Sequence, residues 1–344
     1  MMNNDFCALS TKIKAMHSGY LTADDYNAML EKHSVGEISS YLKQTYYAPF
    51  ISDMNDGAVH RGALEEHIER KFDSDYQKLY KFVGHKERKI LRFLFMKSEI
   101  TVLKIALGRI FGHERAIPGE IKNMTGGFFK EHSGIDTEQL TGSKTVADVA
   151  AACRNTVFCP VLERAVSRNS DYPGICMMLD RLYFGKLWSE AKKYVSGDDV
   201  FLKYVGTLID YLNIMWIYRC KRYFKTPAEL VYTYLIPVYY RLSSEEISAV
   251  VEADSMEEAE RIIAGTNYAD ILDADGDNAF IEHNYKKIYY KNAKKAYKLY
   301  PETITQVFAF FCLLTAEEEN IKTIIEGVRY GISPDIIRNY ICIE

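Results

Sequence analysis

Proline is scarce, 8 residues in 344, so the ring that breaks helix interiors occurs at few positions and long helices are permitted almost everywhere. Strand signals are poor as well. Neither Asp56-Gly57 nor Asp275-Gly276 lies between two alternating apolar runs, so both read as loop turns and not as hairpins. The longest uninterrupted apolar run, Val307 to Leu314, falls far short of the ~20 residues a spanning helix needs. No transmembrane segment is expected. The opening MMNNDFCALS has neither the basic residue nor the apolar core of a signal peptide. Cysteine is present at seven scattered positions with no Cys-x-x-Cys pair, which favours small buried fillers in a reducing cytoplasm over disulfides or a metal site. The net charge of -4 with a pI near 6.1 excludes the global basic field of a nucleic-acid binder.

Catalytic patterns are lacking too. Gly142-Ser143-Lys144-Thr145 imitates the tail of a phosphate loop, but Ser143 stands where that loop requires glycine, and Thr145 is better explained as a helix cap. Asp273, Asp275 and Asp277 imitate three calcium-loop ligands. Gly276 falls at loop position four instead of six and no Glu stands at position twelve, so an exposed acidic turn is the better reading. The eight histidines are spread out, and no Gly-x-Ser-x-Gly elbow occurs. No catalytic, cofactor-binding or metal-ligating residue is therefore assigned, no cofactor is expected, and no residue is assigned to a partner contact.

What the chain does have is a repeat. Thr45, Thr156 and Thr266 lie 111 and 110 positions apart, each followed two places on by an aromatic. Three positions before each threonine stands an apolar residue (Leu42, Cys153, Ile263). Eleven before it come Ser34, Thr145 and Ser255, and twenty-three before it Thr22, Ser133 and Ser243, every one with an acid three residues later. A single such pattern is weak; six in one phase predict two capped short helices opening each copy. Closing helices carry Glu99, Asp210 and Glu317 in register, with Asn213 and Asn320 three residues after their acids and Val102 in the first copy. With 48% apolar and 26% charged residues, the expectation is an all-α protein of three tandem helical domains, 1–112, 113–224 and 225–344. Phe111 to Lys130, with Pro118 and Thr125-Gly126-Gly127, reads as the first connection and Phe224 to Pro237 as the second. Lys89 to Phe111 places its apolar residues at helical spacing and should be a long buried helix.

The stretch Tyr285 to Tyr300 is basic and tyrosine-rich, with Lys287, Lys291, Lys294, Lys295 and Lys298 along one helical face. It reads either as a solvated face or as a docking surface for an acidic partner.

The phased caps, the T-x-[YF] trio, Asp210-x-x-Asn213-Ile214 ahead of Arg219 and Lys221, Leu235-Ile236-Pro237 to Leu242-Ser243, and Asn320-Ile321-Lys322 through Gly327-Val328-Arg329-Tyr330-Gly331 together resemble the C subunit of bacterial and archaeal V-type (A-type) ATPases, called the d subunit in eukaryotes. The resemblance runs over the whole chain, departing at Val102 and Gly108. It implies three domains in pseudo-threefold array forming a funnel. That funnel would sit on the cytoplasmic face of the membrane rotor ring, peripheral to the membrane, and receive the central axle. Torque would pass through it between ATP hydrolysis or synthesis and proton or sodium transport, with no chemistry of its own. Two other readings stay open: a generic α-helical scaffold that binds a protein or peptide, and an enzyme whose site is assembled from unrelated loops.

Overall fold

The computed structural model describes residues 4–54, 59–83, 85–112, 121, 124–125, 127–194, 200–272 and 281–343. The dipeptides Asp56-Gly57 and Asp275-Gly276, the acidic turn Asp273 to Asp277, and Pro118 and Gly126 of the first connection lie outside them. Among the described residues the secondary structure is helical only. In chain order the helices are α1 (Asn4–His17), α2 (Ala23–Leu30), α3 (Val35–Leu42), α4 (Ala48–Ile51), α5 (Arg61–Phe82), α6 (His85–Phe111), α7 (Gly127–His132), α8 (Thr137–Gly142) and α9 (Val146–Ala152). They continue with α10 (Cys159–Ser167), α11 (Tyr172–Tyr194), α12 (Val200–Arg219), α13 (Ala228–Tyr234), α14 (Ser244–Glu252), α15 (Met256–Ala264), α16 (Ile281–Leu299), α17 (Ile304–Arg329) and α18 (Pro334–Tyr340). A π-helical turn, Cys220–Phe224, extends α12.

Each copy of the repeat opens on a pair of short helices, and the phased hydroxyls explain where they start. Thr22, Thr145 and Ser243 close reciprocal capping boxes with Asp25, Asp148 and Glu246, so two otherwise orphaned backbone donors are satisfied at each helix start. Ser34 and Ser255 cap α3 and α15 by accepting from the amides of Glu37 and Glu258. The sixth position differs from the expectation. Ser133 does not cap α8; its hydroxyl accepts from the amide of Ile135, and Asp136 caps the helix by accepting from the amides of Glu138 and Gln139. The acid has taken over the capping role because its short carboxylate sits one residue before the first helical turn.

The chain divides into two compact units, one of residues 1–95, 114–141 and 292–344, the other of 96–113 and 142–291. In the first unit, Met29 and Leu30 of α2, Ile38 and Leu42 of α3, Ile51, Leu64 and Ile68 form one apolar cluster with Ile321, Ile324 and Ile325 of α17 and Ile337 of α18. Pro334 opens α18 at a position that needs no amide donor. Gly331, at φ +66°, supplies the left-handed turn between α17 and α18. Gly327 lets α18 approach α17 closely, since a Cβ there would stand 2.5 Å from Cδ1 and Cγ1 of Ile337. Gly327→Ala should therefore cost about 1–3 kcal/mol by overpacking, read as a lowered urea midpoint without a change in slope.

In the second unit the core runs along α12, where Val205, Ile209, Ile214, Ile217 and Cys220 are sealed. The segment Val200–Phe224 is long and apolar enough to cross a membrane by length and composition, and 72% of its most apolar 18-residue window is buried inside the protein. A core helix meets the same criteria as a spanning one. The expected helix from Lys89 is present as α6, with Leu91, Leu94, Phe95, Ile100, Leu103 and Leu107 buried and Ile110 half-buried. Along α16, Ile281, Ala293 and Ala296 are buried, while Lys286, Lys287, Lys291, Lys295 and Lys298 are exposed.

Candidate functional site

The repeated threonine does the same thing three times. Thr45, Thr156 and Thr266 each donate their hydroxyl to the carbonyl three residues earlier, at 2.7, 2.8 and 2.7 Å. Each also accepts from the amide two residues later, that of Tyr47, Phe158 or Tyr268, at 3.2, 3.1 and 3.1 Å. The side chain thus ends the second opening helix and turns the following aromatic inward, where all three rings are buried.

The two tyrosines among these rings are brought to buried acids on closing helices. In the second unit Tyr268 donates to Asp210 at 2.6 Å, and the amides of Tyr240, Arg241 and Leu242 donate to the same carboxylate at 3.3, 2.7 and 3.1 Å. Asp210 is fully buried. Burial raises its pKa, and the four donors oppose that shift by stabilising the charged form. One turn along, Asn213 makes a two-way amide pair with Ile236, donating at 3.0 Å and accepting at 3.0 Å. This fixes the segment Leu235-Ile236-Pro237 against α12.

The first unit contains the matching arrangement on α17. Glu317 accepts from the hydroxyls of Tyr46 and Tyr47 and from the amide of Leu21. Asn320 pairs both ways with Cys342, at 2.8 and 2.7 Å. The chain order matters: the third copy's acid holds the first copy's aromatic, and the second copy's acid holds the third copy's. The remaining acid, Glu99 on α6, is fully buried; burial pushes the nearby Cys153 thiol up to about 12, opposed by its hydrogen bond with Thr156 and helped by Cys159 and, least, by the charge of Glu99. Cys153 is the residue whose carbonyl Thr156 engages. Phe158 has no hydroxyl to offer there.

One element has no counterpart in the other copies. Lys71 of α5 is 2% exposed, pairs with buried Asp75, and lies 4.0 and 4.4 Å from the ring centres of Tyr46 and Tyr20. Burial lowers its pKa while Asp75 and Glu317 support its charge. The equivalent place after Thr156 is Leu182. Sequence periodicity missed Lys71, because a residue found in one copy leaves no periodic signal.

Asp210 and Glu317 each accept from several protein donors, so these two acids fasten helices. Among the described residues no group of three or more His, Cys, Asp or Glu side chains could hold a metal ion. The phosphate-loop imitation is a cap: Thr145 closes its box with Asp148, which also accepts from the amide of Lys144, and the Ser143 carbonyl accepts from Arg109. Cys7 is exposed and the other six thiols are buried or half-buried, all of them free.

Two histidines carry a pH signature: burial and Lys294 lower His17, and the larger shift is at His283. Half-burial and the neighbouring Lys287 and Lys286 depress His283 from its ordinary 6.5 to about 4. The unfolded chain takes up this proton first as pH falls, so stability is full above 6.5 and is lost between there and about 4. His283→Gln should flatten the urea midpoint across that interval, and an unchanged slope would show that other groups dominate.

The family model described as ATP synthase (C/AC39) subunit matches residues 9–340. Relatives described as the C subunit of A-type ATP synthase align with almost the whole chain. The Methanocaldococcus jannaschii protein is 21% identical over 97% of this chain and 85% of its own length. The Methanosarcina mazei protein is 20% identical over 99% and 94%, and the Archaeoglobus fulgidus protein 21% over 96% and 94%.

Proposed function

The chain belongs to the ATP synthase (C/AC39) subunit family, and from that premise we propose that it is the non-catalytic coupling piece of the central stalk of a rotary ATPase. In this reading three helical modules, 1–112, 113–224 and 225–344, form a pseudo-threefold funnel. The central axle enters it, the membrane rotor ring docks against it, and the chain stays peripheral on the cytoplasmic face.

The observation that carries the reading is the cyclic use of the acids. Glu317 of the last copy grips Tyr47 of the first, and Asp210 of the second grips Tyr268 of the third. Glu99 of the first is buried in the same unit as Cys153 of the second. A linear repeat array leaves the first and last copies unpaired and needs capping units; here the last closing helix covers the first opening. A torque-bearing part needs stiffness more than tight binding, and filled hydrogen-bond networks in close-packed helices supply stiffness.

Reconstituting the rotary complex in vesicles with and without this chain tests the proposal. ATP-driven ion uptake is expected to vanish without it while ATP hydrolysis continues in the head. Uptake that persists in its absence, or turnover by the isolated chain, would sink the idea.

A further inference from the structure

The second unit has a cavity of about 300 Å³ that the acid networks do not use. A left-handed turn at Asn169, φ 48°, follows the end of α10, and Arg168 and Asp171 on either side of it line the cavity. Pro173, Met177, Met178 and Leu230 supply an apolar wall. The volume stands at the small end of the range that ligand sites occupy, about 300–1,000 Å³. Methionines adapt to the shape of an apolar guest.

The polar end holds an unsatisfied hydroxyl. Tyr234 also lines the cavity and is only 8% exposed, yet among the described residues no hydrogen bond engages its side chain. Other buried tyrosines have acceptors: Tyr76 donates to the Leu91 carbonyl, Tyr218 to Glu260 and Tyr268 to Asp210. Gly174 gives the hydroxyl its room, since a Cβ there would stand 2.7 Å from Tyr234 Oη and 2.8 Å from Asp171 Oδ1. The missing side chain leaves open the place where a phenol oxygen and a carboxylate oxygen converge.

The charges around this place are mixed. Among the described residues no ion pair engages Arg168 or Asp171, and the side chain of Asp171 accepts only from the amide of Gly174, at 3.0 Å. Burial and the charge of Asp171 raise the Tyr234 pKa, and Arg168 lowers it, so both charges are felt at the hydroxyl. Lys225 and Glu229, the chain neighbours of the lining residues Phe224 and Leu230, are exposed and add one charge of each sign. Glu252 is held by the Tyr232 hydroxyl at 2.9 Å. Two cations and two acids without ion-pair partners reward neither a net anion nor a net cation; they suit a ligand that carries both charges.

We propose that this cavity binds a small zwitterion with an apolar side chain, a free α-amino acid of the leucine, methionine or phenylalanine kind. Its ammonium would sit against Asp171 and the Tyr234 hydroxyl, its carboxylate against Arg168, and its side chain along Met177, Met178 and Leu230. An ammonium has three donors and no acceptor, which matches two converging oxygens, and a guanidinium matches a carboxylate. A zwitterionic lipid shares these charges, but its acyl chains exceed the cavity. The site lies within one unit and is independent of any coupling role.

The test titrates the full chain with L-leucine, L-methionine and L-phenylalanine by ligand-detected NMR. Leucine amide and 4-methylpentanoate, each lacking one of the two charges, and vesicles of phosphatidylcholine complete the set. Saturable binding of at least one amino acid is expected, with Kd below about 1 mM, and about tenfold or more weaker binding of both single-charge compounds. Arg168→Gln, at an exposed position, should weaken binding about tenfold or more, and Tyr234→Phe about threefold or more. Tyr234→Phe removes a hydroxyl with no protein partner, so the urea midpoint should stay unchanged. Absence of binding by all three amino acids, equal binding of either single-charge compound, vesicle binding in place of amino-acid binding, or indifference to both substitutions overturns the proposal.

Discussion

Asp210→Ala is expected to lower stability by about 3–5 kcal/mol, because it removes one acceptor and strands three backbone amides and the Tyr268 hydroxyl together. Each stranded donor costs about 1–3 kcal/mol when water cannot reach it, and relaxation of the 240–242 segment recovers part of the sum. Asp210→Asn keeps one acceptor oxygen but turns an amino group toward donors, so it should fall between wild type and Ala. The readout is local. Both tryptophans, Trp188 and Trp216, lie in the second unit, and Trp216 is buried on the same helix as Asp210. Urea unfolding followed by tryptophan fluorescence therefore reports the damage where it occurs. A loss below about 1 kcal/mol for Ala would mean that the amides find other acceptors and that the carboxylate is not their anchor.

The sequence made the positions of these groups legible but not their pairing. Thr45, Thr156 and Thr266 announced a shared turn because a hydroxyl that donates back and accepts forward depends on neighbours within a few residues. The all-α class followed for the same local reason. The partners of the acids did not follow: Tyr47 and Glu317 are 270 positions apart, and periodicity alone cannot say whether an acid serves its own copy or the next. Asn213 and Asn320 were visible as a repeated amide, whereas the backbone segments they clasp, at Ile236 and Cys342, were not. Ser133 misled because a hydroxyl and an acid three apart can share capping in either order. The cavity beside Met177 left no motif, since apolar walls are assembled from side chains that look like any other core.

Lys71 permits a sharper experiment than single deletion, because the physics of a buried ion pair separates the cost of breaking it from the worth of having it. Asp75→Ala leaves an ammonium among the rings of Tyr20 and Tyr46, with Glu317 its remaining counter-charge, and should cost about 3–5 kcal/mol. Lys71→Met should cost less, since Lys78 still reaches Asp75 at 3.2 Å. The double variant Lys71→Met with Asp75→Leu is then expected to be more stable than Asp75→Ala alone, because no uncompensated charge remains and methylene replaces ammonium against aromatic faces. Hydrogen exchange of α5 and α17 amides measures this, as both helices belong to the unit without tryptophan. Additive losses in the double variant would show that the pair contributes through packing alone. If the double variant keeps both helices protected yet fails to couple hydrolysis to ion uptake in the reconstituted complex, then the charged pair serves the proposed coupling and not folding.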